Sequence, residues 1–520
     1  MAARRTIRIL LWSLLGIVVV VAIAAGVLLI VPAPAERWLQ GRILLALREH
    51  YQADVQLQNL HVTLVPSFHA TADNLVIPNR SDPSLPPLIT VKHVNLRAAV
   101  FELLRHPVHI SHLELDGLQI QVGPKRQPAS GRPAGKPRYR TRLADFVIDR
   151  VEADGAKLLI LRKDPSREPL LFDLRTLRLR SAGVGQPMKF TAELTNPTPP
   201  GMIQTTGHFG PWNFDEPSAT QVAGHYEFQH ADLSVFNGIS GILSSTGDYS
   251  GVLHNIVVDG TTDTPDFQLD RGGQKVHLTT QFHAIVDGTN GNTYLQPVNA
   301  HFLDSDLVTK GEVAGQPGQH GKTIVLDVDI QHAHVQDVLA LASKSETPAL
   351  TGKLEMKAKL TLPPGDLPVL QKMQLGGDFR VSDARFTNAS VNKAIVELSR
   401  RGQGKPEDAS ITQVPSVFAG DFRLQKSTLS FSPLQFAVPG AAAQMSGSYG
   451  LQSAALHFAG DVRLHATISH MVTGNKRWLL APFDPVFMKH GAGTYLPVTI
   501  TGTREHPEVQ VEWKKLFGTQ

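Results

Sequence analysis

Several groups of residues in this sequence resemble parts of catalytic sites. Gly315 to Thr323 ends in Gly-Lys-Thr, as phosphate-binding loops do. The glycine spacing is one residue longer than in the Walker A motif, and a strand pattern follows where that motif requires a helix N-terminus. The sequence also contains neither the Gly-x-Ser-x-Gly motif of α/β-hydrolases nor the His-Glu-x-x-His motif of zinc proteases. No nucleotide site or hydrolase site is predicted from these motifs.

Two groups of histidines could ligate a metal ion. They are His106, His109 and His112, and the pair His332 and His334. A zinc site needs several His, Cys or carboxylate ligands at suitable spacing. The chain has no cysteine, and no carboxylate lies at a helpful distance in sequence. Solvated histidines are therefore favoured, and we expect neither a metal nor another cofactor.

Two groups of acidic residues could also form a catalytic pair or a cation site. Asp327 and Asp329 have the spacing of a carboxylate pair that would suit a glycosidase or a cation site, but they alternate with apolar residues as the outer face of a strand does. Asp287 to Asn292 offers calcium-like oxygen ligands, but lacks an acidic closing ligand and contains the hairpin dipeptide Asn-Gly. We interpret it as a turn, and the sequence predicts that the protein is not an enzyme.

The elements that would position any site follow a repeated pattern, apolar-x-apolar-x-x-apolar-x-apolar. A period of two predicts strands with one apolar face, and the doubled x predicts a bulge or tight turn that restores this face. The sequence thus predicts a mostly β fold, an elongated, curved antiparallel sheet with an apolar groove. Lipid-contact candidates in this groove are Val55, Leu57, Leu60, Val62, Ile89, Val91, Val108, Ile110, Leu113 and Leu115.

Helices are expected to be few and short. After the N-terminal segment, they are predicted at 36–50, 232–237, 335–342 and 391–399 and around Trp478 and Leu479. The proline-rich stretch from Leu194 to Pro217 is predicted to break the strand pattern. Further alternating strands are expected before and after these segments, up to the C-terminus.

The N-terminus has the features of a membrane anchor. Ile9 to Val31 carries no charge, and a spanning helix needs about 20 apolar residues. Arg4, Arg5 and Arg8 precede it, which predicts a cytoplasmic tail (1–8), a transmembrane helix (9–31) and export of the remainder. A cleaved signal peptide is the alternative, since small residues follow at 33–35, but the apolar run exceeds the usual h-region.

Charge is concentrated in one linker. The net charge of +4 does not indicate a nucleic-acid partner, because part of it lies in the N-terminal flank and a basic, proline-rich segment occupies residues 123–142. That segment is interpreted as a solvated loop, with binding to an anionic lipid surface as the alternative. Because this loop is predicted to lie outside the sheet, we expect its deletion to leave thermal stability nearly unchanged.

Parts of the chain resemble the AsmA family of bacterial envelope proteins. The resemblance rests on Val65-Pro66-Ser67, on Leu103-Leu104 and on the stretch from Ile110 to Ile120. In the C-terminal part it rests on Val438-Pro439-Gly440-Ala441, Gly447-x-Tyr449, Phe483-Asp484-Pro485-x-Phe487, Gly491-Ala492-Gly493-Thr494-x-Leu496-Pro497, Gly502-Thr503 and Pro507. These residues belong to an N-terminal β region (35–122) and a C-terminal β region (376–520), with a central β-rich region (143–375) matched less closely.

The resemblance implies a bacterial inner-membrane protein with most of its chain in the periplasm, related to bridge-like lipid transfer proteins. It implies membrane lipids as partners, a role in outer-membrane biogenesis and no catalytic residues. Three alternatives remain open. They are an assembly factor that offers a sheet edge to outer-membrane assembly components, an anchored envelope hydrolase, and a sheet whose apolar side is simply its own core.

Overall fold

The computed structural model describes residues 56–512, apart from 64–66, 79–85, 88, 100, 102–107, 123–145, 161–169, 184–186, 212–218, 237, 270–272, 289–290, 316–320, 366, 475, 489–492 and 504–505. Within these residues the fold is mostly β, as predicted, with few and short helices. None of the described helices is long and apolar enough to cross a membrane. The predicted membrane helix (9–31) and the following helix (36–50) lie outside the described residues.

The chain forms two compact units. The first contains the described residues up to Asp232 together with Leu243–Thr262 and His283–Thr293. The second contains Leu233–Ile242, Asp263–Phe282 and the described residues from Tyr294 onward.

The first unit begins with a sheet of eleven strands. They are β1 (Gln56–Thr63), β2 (Phe68–Ile77), β3 (Ile89–Ala98), β4 (Val108–Ile110), β5 (His112–Asp116), β6 (Gln119–Val122), β7 (Phe146–Ile160), β8 (Leu170–Gly183), β9 (Met188–Pro197), β10 (Pro200–Phe209) and β11 (Gln221–Asp232). Neighbours are antiparallel, with one exception: β4, β5 and β6 all pair with β7 in parallel. The predicted antiparallel sheet is therefore confirmed apart from this point, where β3 already pairs antiparallel with the other edge of β5 and β6.

Residues with positive φ occur where the doubled x predicted a bulge or tight turn. Asn59, Gly117 and Gly155 each stand at the second x of a repeat, and each has a positive φ of 49°, 64° and 63° respectively. The strand register shifts on both sides of Gln58 in β1, and β4, β5 and β6 are separate segments of one interrupted strand. The register shift in β1 is that of a bulge and a turn at Gly117 separates β5 from β6, whereas β7 keeps a single register with β8 on both sides of Gly155. Ala153 and Ala156, on either side of that doubled x, are both buried, so the apolar face is restored there as predicted.

The proline-rich stretch after Leu194 is not a break in the sheet. β9 continues to Pro197, and β10 begins at Pro200 and pairs with β9 from Pro200 to Phe209. Proline is tolerated at the first residue of a strand, so these prolines occupy the hairpin between two strands. The prediction of a break therefore holds only for the turn.

The remaining strands continue the alternating pattern. They are β12 (Ile239–Ser240), β13 (Ile242–Val252), β14 (Asn255–Leu269), β15 (Val276–Asp287), β16 (Asn292–Phe302), β17 (Ser305–Ala314), β18 (Thr323–His334), β19 (Leu350–Leu362), β20 (Gln374–Phe386), β21 (Ser416–Gln425), β22 (Thr428–Val438), β23 (Ala441–Gly450), β24 (Leu456–Leu464), β25 (Thr494–Gly502) and β26 (Pro507–Val511). From β17 to β26 each strand pairs antiparallel with the next.

Short helices interrupt this series. They are α1 (Val335–Ala342), α2 (Val369–Lys372), α3 (Ala389–Gly402), α4 (Lys476–Leu480) and α5 (Asp484–Phe487), with 3₁₀ turns at Leu233–Val235, Ile468–Met471 and Ala481–Phe483. α1 has the predicted bounds. α3 is longer than predicted because Asn388 caps it, its side-chain oxygen accepting from the backbone N–H groups of Ser390 and Val391.

Three apolar clusters form the core. The largest joins side chains from β1 to β5, β7 and β8, and we call β1–β8 the buried block. A second cluster surrounds Ile330, Leu354 and Val381, with Val335 of α1 in it. The third surrounds Val438, Ala441 and Leu464, with Ile395 and Leu398 of α3 packed against it.

Candidate functional site: a partly exposed apolar face

The acidic residues that resembled a catalytic pair lie on a strand surface. Asp327 is exposed, and its Oδ1 lies 3.5 Å from Nζ of Lys359 on the neighbouring strand. Asp329 accepts a 3.4 Å hydrogen bond from Nε2 of Gln331. Gly291 closes the turn between β15 and β16 by donating its N–H to the Asp287 carbonyl at 2.6 Å, which confirms that this segment is a turn. Thr323 begins a strand rather than a helix.

The candidate histidines have local carboxylate or backbone neighbours. Nδ1 of His109 lies 3.4 Å from Asp149, and Nδ1 of His334 lies 3.9 Å from Asp337. His112 lies in β5 and His332 is exposed in β18, whereas His106 lies outside the described residues. Among the described residues, no group of three or more potential ligands could hold a metal ion.

The lipid-contact candidates of the sequence lie mostly in the protein core. The core of the buried block contains Leu57, Ile89, Val91, Ile110, Leu113 and Leu115, which are 8%, 0%, 1%, 0%, 0% and 1% exposed. Leu60 and Val62 are partly buried and pack against it. Val108 contributes backbone to β4, and Val55 lies outside the described residues. Their contact with lipid stays a prediction, but in this block protein covers the apolar face.

The same face becomes more exposed in the following strands. One row of register partners runs from Ala156 on β7 through Leu174, Leu194 and Ile203 to Phe228 on β11. Ala156 is 3% exposed, whereas the later members of the row are only partly buried. The apolar side therefore continues beyond the core cluster with incomplete protein cover.

Two tyrosines interrupt this face in the first unit. The Tyr249 hydroxyl lies 2.7 Å from Oγ1 of Thr205, and the Tyr226 hydroxyl lies 3.0 Å from Oγ of Ser245. Their ring centroids are 6.5 Å apart, and burial raises the pKa of both tyrosines. Each hydroxyl thus has a protein partner, so these residues add little polarity to the face.

The second unit has an apolar face of its own, and its most aromatic part lies on β20, β21, β22 and β24. Phe379, Phe422, Phe431 and Phe458, which we call the phenylalanine face, are all partly buried. The ring centroids of Phe379 lie 6.1 Å from those of Phe422 and Phe431, and Phe431 lies 6.1 Å from Phe458. These distances fall within the range of favourable aromatic pairs, so the rings form a connected surface.

Glycines stand beside these rings in the strand register. Gly377 pairs with Phe422, Gly420 pairs with Phe379, and Gly447 lies between Phe431 and Phe458. A Cβ on Gly447 would lie 2.6 Å from Cδ1 of Phe458. The absence of a side chain at these positions gives the rings room to lie over the backbone of the neighbouring strand.

Helices cover only part of this surface. Phe379 packs against the core cluster near α1, whereas Phe422, Phe431 and Phe458 belong to none of the three clusters. The reverse side of the same strands is polar and exposed at Asp421, Arg423 and Gln435. These strands therefore combine a polar outer side with an apolar side that protein covers incompletely.

The sequence signal for this surface was present but did not single it out. Phe422-x-Leu424 and Leu429-x-Phe431 show the same alternation as the N-terminal repeats. Alternation identifies the apolar side of a strand, but the extent to which protein covers that side depends on residues distant in sequence.

Comparisons with known proteins identify no relative. No protein-family model matches the chain, and no match is found among curated proteins or solved structures.

Proposed function

We propose that this protein binds phospholipid acyl chains on partly exposed apolar surfaces of its strands, with the phenylalanine face as the contact surface in the second unit. The supporting observation is that Phe422, Phe431 and Phe458 are ordered into an aromatic surface without being enclosed in a core. An acyl chain on such a surface gains about 0.8 kcal/mol for each CH₂ group removed from water. The ring edges and faces require no polar partner from the ligand.

The wider role follows from the sequence. The apolar run at 9–31 and the resemblance to the AsmA family support anchoring in the bacterial inner membrane, with most of the chain in the periplasm. Handling of phospholipid during outer-membrane biogenesis is the proposed context. No chemistry is required for this role, because the lipid exchanges water for an apolar protein surface without any bond being formed or broken.

The two rival functions find less support in the described residues. A sheet-edge assembly factor needs a strand that can add a partner strand. At one edge β26 has only five residues and begins with Pro507, and short strands with proline are poor templates for strand addition. At the other edge β1 has eight residues and pairs with β2. For a hydrolase, the candidate pair is Asp327 and Asp329, of which Asp327 lies beside Lys359 and Asp329 accepts a hydrogen bond from Gln331.

Site-specific photocrosslinking tests the proposal. Phe431 is replaced by benzoylphenylalanine in the full chain, cells are irradiated, and adducts are identified by mass spectrometry. The matched control is the same replacement at Gln435, which lies on the same strand but on the exposed polar side. We expect phospholipid adducts at position 431 and none at position 435. Absence of adducts at position 431, or equal adducts at both positions, would reject the proposal.

A further inference from the structure

The segment between β24 and β25 exposes large apolar side chains. Trp478, Leu479, Phe483 and Met488 are 84%, 71%, 50% and 52% exposed, and we call them the C-terminal apolar patch. Trp478 is the most exposed of the large hydrophobic residues in the described chain. Isolated exposed apolar residues are ordinary, but several large ones within one short segment mark an interaction surface.

The segment is fixed to the rest of the second unit. Phe487 is buried at 6% exposure. Asp484 accepts hydrogen bonds from the backbone N–H of Ser469 at 2.9 Å and from its hydroxyl at 2.7 Å. Burial alone would raise the pKa of Asp484, but the hydrogen bonds from Ser469 hold it below its usual value. The patch is therefore exposed on an anchored scaffold.

Basic residues outnumber acidic ones in the segment that carries the patch. Lys476 and Arg477 begin α4, and Lys489 follows Met488 in the sequence. Asp484 is the one acid between Lys476 and Lys489, and its carboxylate is used in binding Ser469. Basic residues beside Trp, Leu and Phe are the composition of segments that lie in a membrane interface, where Trp occupies the headgroup level.

We infer that the C-terminal apolar patch docks on the surface of a bilayer containing anionic phospholipid, with Trp478, Leu479 and Phe483 inserted between headgroups and Arg477 close to the phosphates. A protein groove would satisfy the apolar residues equally well. The basic flank, in which Lys476, Arg477 and Lys489 outnumber the single acid Asp484, favours an anionic lipid surface over it. This inference goes beyond the proposed function and does not depend on lipid binding at the phenylalanine face.

Vesicle capture tests the inference. The full chain in phosphatidylcholine nanodiscs is mixed with fluorescent vesicles made from equal parts of phosphatidylcholine and phosphatidylglycerol, and bound vesicles are measured after pull-down. The patch variant carries Trp478→Ser, Leu479→Ser and Phe483→Ser. The control variant carries Phe101→Ser, Leu367→Ser and Val509→Ser, which remove side chains that are 64%, 60% and 65% exposed elsewhere.

We expect the patch variant to capture at least about tenfold fewer vesicles, because each inserted side chain contributes apolar burial, and the control variant to match the wild type. Arg477→Glu should weaken capture of the mixed vesicles but not of pure phosphatidylcholine vesicles. Thermal melting of each variant establishes that it is folded, and crosslinking at Phe431 reports separately on the proposed function. Unchanged capture by the patch variant, as expected if the patch binds a protein, would overturn the inference. An equal loss in the control variant would do the same.

Discussion

The strands of the buried block and of the phenylalanine face share the same alternation of apolar and polar residues, but they differ in how far protein covers the apolar side. In the buried block the inward residues Leu113 and Leu115 are 0% and 1% exposed and belong to a cluster that extends from β1 to β8. On β21 and β22, Phe422 and Phe431 occupy equivalent positions in alternating strands but remain partly exposed. Period two thus specifies an apolar side in both regions, whereas tertiary packing decides whether that side is a core or a surface.

The linker between β6 and β7 provides the strongest test of how the buried block is closed. In the parallel register, Val108 pairs with Phe146 and Val122 pairs with Ile160. The chain must therefore return along the strand before β7 begins, a distance of roughly 45 Å if β7 is fully extended. Deletion of residues 123–142 leaves a connection that spans only about 14 Å. The parallel register therefore predicts that this deletion disrupts the buried block, contrary to the expectation from the sequence.

We expect the deletion to abolish cooperative unfolding of the first unit, measured by circular dichroism during thermal melting. Replacement of the same residues by a Gly/Ser sequence of equal length should preserve the melting temperature, because parallel strands need only a sufficiently long crossover. A deletion variant as stable as the wild type would show that β7 does not pair in parallel with β4–β6.

The Gly/Ser replacement of residues 123–142 also removes the basic charges of the linker. It therefore tests the alternative that this linker binds an anionic surface: unchanged vesicle binding at low salt would contradict that role.

Charge substitution should separate the two regions next. Leu113→Asp places an unpaired carboxylate in the core, and the cost of burying it should unfold the buried block. Phe431→Asp places the carboxylate at a partly exposed position, where water can solvate it, and the protein should stay folded. Denaturant titration of both variants measures the difference. Comparable loss in both would mean that the phenylalanine face is a closed core.

Truncation to alanine refines the same comparison. Leu113→Ala should lower the free energy of unfolding by about 2–5 kcal/mol, as for other buried leucines. Phe431→Ala should cost roughly 1–2 kcal/mol, because the ring is only partly removed from water and loses its contacts with Phe379 and Phe458. If added phospholipid stabilises the wild type more than Phe431→Ala, the ring contributes to lipid binding; equal stabilisation would argue against this.

The sequence was informative about local structure and less so about what covers it. The doubled x predicted a bulge or tight turn at Asn59, Gly117 and Gly155, because strict alternation would place the next apolar residue on the opposite face. The parallel pairing of β7 left no signal in its own residues, since strand direction is set by the length and path of the connection. The sequence offered Leu113 and not Phe431 as a lipid-contact candidate for a similar reason. The extent to which protein covers an apolar side chain depends on residues distant in sequence.

Substitution of Gly155 tests the left-handed backbone conformation at one doubled x of the buried block. Gly155 has a φ of 63°, and a Cβ built there meets nothing within 4 Å. Gly155→Ala should therefore lower the free energy of unfolding only through backbone strain, by about 1–2 kcal/mol. Gly155→Asn should cost less, because asparagine tolerates this conformation better. Equal stability of the wild type and both variants would mean that residue 155 does not have a positive φ in solution.

The smallest expected effect belongs to the outer surface of the buried block. Asp154 accepts a 2.8 Å hydrogen bond from Nη2 of Arg178, and this bond holds the pKa of Asp154 below its usual value. A lowered pKa in the folded state contributes stability above the unfolded pKa of about 3.9 and loses it as the pH falls through the folded value. Because the pair is largely exposed, Asp154→Asn should cost only about 0.5 kcal/mol at neutral pH, and less at high salt. Denaturant titrations of both proteins at pH 7 and near pH 2 measure this difference, which should disappear at the lower pH. A difference that persists in acid would assign the effect to packing of the side chain rather than to its charge.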